Sequence, residues 1–257
     1  MQNRIDKLFA EKEDLLSIYF TAGYPEIDDT RKVLSALQNA GVDFVEIGMP
    51  FSDPLADGPV IQQSSLRALS NGISVGRLLD QLRDMRPEIT MPVVLMGYIN
   101  PVMHFGVEAF ARRCAEAGVD GIILPDLPFD LYLSDYKDIF DRAELRFIPL
   151  IAPQTPDERM RHIDSHAEGF IYMVASAGIT GNIRTSQDYR TAYFERVRAL
   201  GLRNRTMIGF GIKDHDSFAH ACRHASGAII GTAFVQHLAK HGTDEAAIAG
   251  FVKSIRG

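Results

Sequence analysis

Few cysteines and the absence of long apolar runs argue against a secreted or membrane protein. Cysteine is scarce, with two residues in 257, and Cys114 and Cys222 lie far apart inside predicted helices. Such cysteines are typical of buried apolar residues in a reducing compartment, so we expect no disulfide. No apolar run approaches the roughly 20 residues that span a bilayer, and the segment Met1 to Asp14 has no signal-peptide core. The sequence therefore predicts a cytoplasmic protein that does not enter a membrane.

An excess of positive charge is also lacking. The chain carries 27 Lys and Arg against 33 Asp and Glu, a net charge of −6. Nucleic-acid ligands require basic patches, so we expect none here. A small phosphorylated ligand is still compatible with this charge, because backbone N–H groups can bind a phosphate. The apolar share of 46% is ordinary for a globular protein, and 257 residues suit one (β/α)₈ barrel of about 250. We predict a single domain, 1–257.

Short apolar runs alternate with amphipathic helical stretches along the whole chain. Most runs show no polar alternation, as expected for parallel strands buried on both faces. The eight runs are Leu16–Phe20, Phe44–Gly48, Pro92–Gly97, Gly121–Leu124, Phe147–Ile151, Phe170–Met173, Thr206–Gly209 and Ala228–Ile230. Clear helical stretches are Thr30–Ala40, Ser74–Met85, Val107–Ala117, Pro156–Ser165 and Phe194–Leu200. Eight alternations predict an α/β fold, a closed (β/α)₈ TIM barrel. A doubly wound open sheet is the alternative, but it typically has fewer strands.

Glycines mark the ends of two of these helices. The string Ala-Gly-Val-Asp occurs at 40–43 and again at 117–120. We expect Gly41 and Gly118 to take the left-handed conformation that follows a helix, where a side chain would be strained.

Glu46 is a carboxylate inside a strand that should be wholly apolar. Its neighbours Phe44, Ile47 and Met49 would remove it from water and raise its pKa. A raised pKa suits a group that gives and takes protons near neutral pH. The alternative is a structural ion pair with an arginine.

A proline-rich loop follows this strand and carries two aspartates, Asp53 and Asp57. Prolines at 50, 54 and 59 stiffen the loop. Either aspartate could cap the next helix or form a turn. Together with Glu46, however, Asp57 makes a pair of carboxylates in different environments, and such pairs often divide into an acid and a base.

Glycines lie at the ends of the last two predicted strands. The seventh strand ends in Gly209 and is followed by Gly211, and Gly231 with Thr232 follows the eighth. Barrels commonly bind phosphate at these two loops, with the help of a helix N-terminus. Gly178 and Gly181 in the sixth loop add to the pattern, which predicts a phosphate site.

Histidine and lysine are missing from the predicted strands. No spacing typical of metal ligands occurs, so a metal-dependent aldolase is not expected. Lys213, just beyond the seventh strand, is the one barrel-mouth lysine that could form a Schiff base, and we expect it not to. From the residues alone, the chain is a cofactor-free acid–base enzyme acting on a phosphorylated substrate.

The loop around Asp57 resembles a highly specific family signature. The string Pro-Phe-Ser-Asp-Pro-Leu-Ala-Asp-Gly-Pro at 50–59, preceded by Glu-Ile-Gly-Met, is similar to that of the tryptophan synthase alpha chain family. The resemblance covers essentially the whole chain. It includes the strings at 20–25, 98–101, 124–128, 178–181, 209–212 and 231–233.

The resemblance implies cleavage of indole-3-glycerol phosphate to indole and glyceraldehyde 3-phosphate. Glu46 and Asp57 match the family's catalytic residues. Glu46 would protonate indole C3 and take a proton from the glycerol hydroxyl, while Asp57 would stabilise the charge at the indole N–H. The expected indole and phosphate contacts are Phe20, Tyr98, Ile123, Tyr172, Thr180, Gly181, Phe210, Gly211, Gly231 and Thr232. Another phosphate-binding barrel enzyme, such as a sugar-phosphate isomerase, or a non-catalytic activator of a partner would be the alternatives.

The resemblance also implies a partner. A beta chain that binds pyridoxal phosphate would receive indole through a channel, in an alpha₂beta₂ heterotetramer, and this chain itself would bind no cofactor. Asp53 and Pro54 would face the partner.

One position departs from the family pattern. The sixth loop reads Ala-Ser-Ala-Gly-Ile-Thr-Gly at 175–181, so Ser176 stands where the family usually has arginine. We expect the long segment Ala175 to Asp188 to act as a lid, with closure depending on Thr180 and the glycines.

Overall fold

Parallel strands form the centre of the molecule. The structure is a computed structural model that describes residues 3–174, 187–209 and 211–257. Within these ranges the strands are β1 Leu15–Thr21, β2 Phe44–Gly48, β3 Val93–Met96, β4 Gly121–Ile123, β5 Arg146–Phe147, β6 Leu150–Ile151, β7 Phe170–Val174, β8 Arg205–Gly209 and β9 Gly227–Ile230. Their order in the sheet is β5-β4-β3-β2-β1-β9-β8-β7-β6. Each of the eight predicted strand positions is occupied.

The two ends of this order meet, and the sheet closes. β5 and β6 are two halves of the predicted fifth strand, interrupted by Ile148 and Pro149. Ile148 N–H donates to the carbonyl of Ile122 in β4 at 2.9 Å, while the Pro149 carbonyl accepts from Tyr172 N–H of β7 at 2.9 Å. One segment thus bonds both neighbours, although proline offers no donor of its own. The (β/α)₈ TIM barrel is confirmed, and the doubly wound open sheet is excluded.

Helices surround the barrel. They are α1 Arg4–Glu11, α2 Asp29–Asn39, α3 Pro59–Ser70, α4 Val75–Leu82, α5 Ile99–Phe105, α6 Val107–Ala117, α7 Phe129–Leu131, α8 Lys137–Arg142, α9 Asp157–His166, α10 Gln187–Ala199, α11 His215–Cys222, α12 Thr232–His241 and α13 Glu245–Arg256, with a π-helical stretch at Tyr132–Tyr136. In the described ranges, no helix combines the length and apolar character needed to cross a membrane. Cys114 and Cys222 are both free thiols, as expected.

Most predicted helices were located well. The helix predicted from Phe194 is longer and begins already at Gln187. Gly41 and Gly118 have φ of +83° and +81°, so the left-handed conformation predicted after α2 and α6 is confirmed.

Helix α1 was not predicted, and it closes the N-terminal end of the barrel. Ile5 and Phe9 are buried, and the Phe9 ring stacks on Phe170 at 5.0 Å and lies 5.9 Å from Phe44. Two features indicate a helix here. Apolar residues are spaced for one helix face at Ile5, Leu8 and Phe9. Asn3 caps the helix by accepting from Ile5 N–H at 2.9 Å. With this end filled, open space remains at the C-terminal ends of the strands.

Candidate active site

A cavity of about 320 Å³ opens at the C-terminal end of the barrel. Six predicted site residues line it together: Glu46, Asp57, Tyr172, Gly211, Gly231 and Thr232. Its other lining residues are Tyr19, Gly58, Ile61, Met96, Ile212, Lys213, Ile229, Ala233 and Gln236. The cavity therefore brings the two carboxylates, Glu46 and Asp57, together with Gly211 and Gly231, the glycines from which the sequence predicted a phosphate site.

Glu46 lies inside the barrel without a partner. Because side chains alternate along a strand, Glu46 and Phe44 both face the barrel interior. Glu46 is 0% exposed, and its two carboxylate oxygens find no hydrogen-bond partner among the described residues. Burial raises its pKa to about 8. The ion pair with an arginine, which the sequence left open, is absent from the described part of the chain.

Two other buried carboxylates show what a structural acid looks like in this fold. Asp43 pairs with Lys12 and Arg256 and accepts from Leu16 N–H at 2.7 Å. Asp120 follows the same pattern at the start of β4, pairing with Arg4 at 2.9 Å and with a second arginine. Both lie at the N-terminal ends of strands, and both are satisfied. Glu46 differs from them because it is buried and unsatisfied.

Asp57 occupies a different environment from Glu46. The Tyr98 hydroxyl donates to its carboxylate at 3.1 Å, and Ala56 N–H donates in turn to the same hydroxyl at 3.0 Å. Burial raises the pKa of Asp57, and the Tyr98 hydrogen bond opposes this shift. This hydrogen bond favours the carboxylate form of Asp57. Glu46 accepts no such hydrogen bond from the described residues. The two acids thus meet the condition for dividing their roles.

Tyr19 lines the cavity, and the sequence prediction of Phe20 is wrong. Phe20 is 0% exposed and packs in the layer between barrel and helices. Neighbouring residues on a strand face opposite sides, so Tyr19 points inward beside Glu46, with which it is in register. Removal from water, then the nearby Asp57, raises the pKa of Tyr19, so the phenol stays protonated. Sheet register decides this, and the sequence does not show it.

Tyr98 and Ile123 lie near the cavity in different ways. Tyr98 is buried, reaches Asp57 through its hydroxyl, and contacts Phe51 with ring centroids 5.4 Å apart. Ile123 belongs to the apolar cluster inside the barrel and is fully buried, so it supports the floor of the site. Ile61 of α3 and Ile229 of β9 complete an apolar wall that sequence reasoning missed.

The N-terminus of α12 faces the cavity and is free to hold an anion. Gly231 precedes the helix, no side chain caps it, and its first turn contains no acidic residue. Helix α11, which follows β8, differs because Asp214 caps it by accepting from Ser217 N–H at 3.0 Å. Gly211, which has φ of +80°, borders the same cavity. The anion position therefore lies between Gly211 and the start of α12.

Several predicted residues lie away from the cavity or outside the described residues. Asp53 and Pro54 are on the loop between β2 and α3, where Asp53 and its neighbour Leu55 are exposed. Thr180, Gly181, Phe210 and Ser176 lie outside the described residues, as does nearly all of the segment Ala175 to Asp188. Across the described ranges no group of three metal-ligating side chains occurs.

Comparisons with known proteins agree with this geometry. The family model "Tryptophan synthase alpha chain" matches residues 5–254. The chain is 50% identical over 254 residues to the tryptophan synthase alpha chain of Christiangramia forsetii, covering 99% of this chain and 98% of that one. It is 49% identical to that of Parabacteroides distasonis over 255 residues, covering 99% of each.

Solved structures are similar over the same extent. The tryptophan synthase alpha subunit of Legionella pneumophila superposes with a TM-score of 0.89 at 34% identity, covering 100% of this chain and 98% of that one. A chain of M. tuberculosis tryptophan synthase in an aminoacrylate-bound form gives 0.86 at 28%, covering 99% and 98%. A chain of the tryptophan synthase complex of Pyrococcus furiosus gives 0.84 at 31%, covering 95% and 98%.

Proposed function

The chain belongs to the tryptophan synthase alpha chain family, and we propose that Glu46 and Asp57 are the residues with which it cleaves indole-3-glycerol phosphate. The products are indole and glyceraldehyde 3-phosphate, and the reaction serves tryptophan biosynthesis. One observation carries the assignment: Glu46 is fully buried, faces the cavity and has no hydrogen-bond partner among the described residues. A buried acid kept unpaired is costly for the fold, so its position is explained by chemistry.

Glu46 acts first as an acid. With a pKa of about 8 it carries a proton at neutral pH. It gives this proton to indole C3, which turns the ring into a cationic indolenine that can accept electrons. Asp57 accepts a hydrogen bond from Tyr98 that favours its carboxylate form, and as a carboxylate it stabilises the positive charge that develops at the ring N–H.

Bond cleavage returns the electrons to the ring. The bond from C3 to the glycerol chain breaks, its electron pair restores the aromatic indole, and the adjacent hydroxyl carbon becomes the aldehyde. The hydroxyl proton passes to Glu46, now a carboxylate, so the enzyme ends the cycle in its starting state. Ile61, Met96 and Ile229 provide the apolar wall against which the flat indole packs.

The phosphate binds at the other end of the cavity. Backbone N–H groups at Gly211 and at the start of α12 supply donors, and the helix N-terminus favours the negative charge. Thr232 adds a hydroxyl at the first position of this helix. No cofactor has a part in these steps.

A beta chain is the partner that the family implies. We place the contact on the loop of Asp53, Pro54 and Leu55, because Leu55 is 78% exposed although apolar. Met103 of α5 is 57% exposed, and it is a further candidate for this contact. The finer proposal is an alpha₂beta₂ heterotetramer in the cytoplasm, in which pyridoxal phosphate is bound by the beta chain and indole passes directly between subunits.

The test is direct. The purified chain is incubated with indole-3-glycerol phosphate, with and without a beta chain, and released indole is measured. We expect release by the wild type and strong loss in Glu46→Gln. No indole from the wild type in either condition would refute the proposed function. Size-exclusion chromatography with light scattering on the mixture reports the stoichiometry separately.

A further inference from the structure

A basic side chain lies beside the phosphate site in this chain. Arg190 of α10 places Nη1 3.1 Å from the position that a Cβ on Gly211 would take. Gly211 is one of the two glycines between which the anion is expected to bind, so the guanidinium lies at the edge of that position. Glycine at 211 is favoured by its φ of +80°, and a side chain there would push the arginine tip aside by a few tenths of an ångström.

The space around Arg190 adjoins the active site. A second cavity of about 260 Å³ lies between α10 and α11 and is lined by Arg190, Phe194 and His220 among others. It shares Gly211, Ile212 and Lys213 with the cavity that holds Glu46. A second cation, Lys213, therefore borders both spaces.

No described acid neutralises Arg190. Asp214, which also borders this space, is engaged as the cap of α11. Among the described residues, neither Asp214 nor Asp216 forms an ion pair with Arg190, although both line the same cavity. Burial lowers the pKa of His220, and the positive charges of Arg223 and then Arg190 lower it further, so this ring stays neutral and does not compete for an anion. Among the described residues, Arg190 thus has no ion-pair partner, whereas the charge of Lys213 acts on the carboxylate of its neighbour Asp214.

We propose that Arg190, assisted by Lys213, contacts the phosphate of the substrate and that charge, beyond backbone N–H groups, contributes to phosphate recognition in this chain. The proposal rests on the proposed function, since it concerns the same substrate. A guanidinium can bind two phosphate oxygens at once, whereas lysine acts as a point charge.

The test uses the full chain and glycerol 3-phosphate, which carries the phosphate without the indole. Calorimetry compares the wild type with Arg190→Gln, Arg190→Lys and a matched control, Arg198→Gln. Arg198 lies on the same helix, is exposed, and lines neither the cavity beside Arg190 nor the cavity that holds Glu46. We expect Arg190→Gln to weaken binding by about 10-fold or more, the effect of losing a charged hydrogen bond. Arg190→Lys should retain part of the affinity, and Arg198→Gln should retain all of it.

Kinetics and salt separate this role from a structural one. Arg190→Gln should raise KM for indole-3-glycerol phosphate far more than it lowers kcat, with an unchanged melting temperature. The difference in affinity for glycerol 3-phosphate between Arg190→Gln and the wild type should become smaller at high salt, because ions screen the attraction between Arg190 and the phosphate. Equal affinity of Arg190→Gln and Arg198→Gln for glycerol 3-phosphate would overturn the inference while leaving the lyase function intact. A wild type that binds glycerol 3-phosphate through Arg190 but releases no indole would instead refute the function alone.

Discussion

The phenol oxygen of Tyr19 lies 2.0 Å from the position that a Cβ on Gly48 would take. Tyr19 comes from β1 and Gly48 ends the neighbouring strand β2, two residues after Glu46. The same arrangement recurs across the barrel, where the Tyr172 hydroxyl lies 1.9 Å from the Cβ position of Gly209. Two glycines at strand ends thus leave room for two phenols near Glu46, the proposed catalytic acid.

Gly48→Ala should disturb the site through Tyr19. The new methyl would also come within 2.5 Å of Cζ, so the ring must leave its place. We expect a stability loss of about 1–3 kcal/mol, typical of overpacking, and a marked fall in kcat/KM. Tyr19→Phe should not rescue the variant because Cζ still clashes, whereas in a Tyr19→Ala background Gly48→Ala should cause little further loss of stability. The control is Gly250→Ala, which meets nothing within 4 Å. Full activity in Gly48→Ala would show that the phenol position is unimportant.

Glu46→Gln keeps the shape of the side chain and removes proton transfer. We expect kcat to fall by about 10²–10⁴-fold, the usual loss for a general acid–base residue, with little change in KM. Steady-state assays of indole release measure this. If the variant keeps most of its activity, the assignment of Glu46 is wrong.

The stability of the chain should also report the buried proton on Glu46. Its pKa rises from 4.5 to about 8 on folding, so between these values the folded state binds more protons than the unfolded state. The free energy of unfolding therefore falls as pH rises through this window. Glu46→Gln removes this slope, so the variant should become more stable than the wild type by several kcal/mol, at most about 5, above pH 8. Denaturant titrations at pH 4, 6 and 8.5 measure the free energy of unfolding of both proteins. A difference between wild type and variant that does not change with pH would contradict a buried, unpaired Glu46.

Gly211→Val should impair phosphate binding. Gly211 has φ of +80°, which β-branched residues rarely adopt, and the added side chain would meet Arg190. We expect a strongly raised KM in a folded protein. Gly201→Val is the matched control, because Gly201 has φ of +60° with nothing near it and lies away from the cavity. It should show comparable strain without a change in KM, and equal KM values in both variants would move the phosphate site elsewhere.

The chemistry should proceed without a Schiff base or a metal ion. Lys213 is exposed at the edge of the cavity, whereas Schiff-base lysines are activated in apolar pockets or beside another cation. Borohydride added during turnover should therefore trap no adduct, and EDTA should not inhibit. Mass spectrometry of the treated chain checks the first expectation, and a substrate adduct on Lys213 would contradict it.

Local pattern was sufficient to predict much of the fold. Apolar runs placed all eight barrel strands, and glycines after α2 and α6 predicted left-handed residues that the structure confirms. Glu46 stood out because a carboxylate contradicts the apolar pattern of its own strand. These features depend on a residue and its chain neighbours, and sequence shows them directly.

Long-range packing decided the rest. Whether Tyr19 or Phe20 faces the cavity depends on how β1 pairs with β2, since one residue of shift reverses every side chain. Whether α11 or α12 offers an uncapped N-terminus to the anion depends on where Asp214 directs its carboxylate. The approach of Arg190 to Gly211 joins residues 21 positions apart, and no local pattern reports such a distance. Sequence determined which elements form and which acid is unusual, whereas closure of the barrel determined which side chains meet in the site.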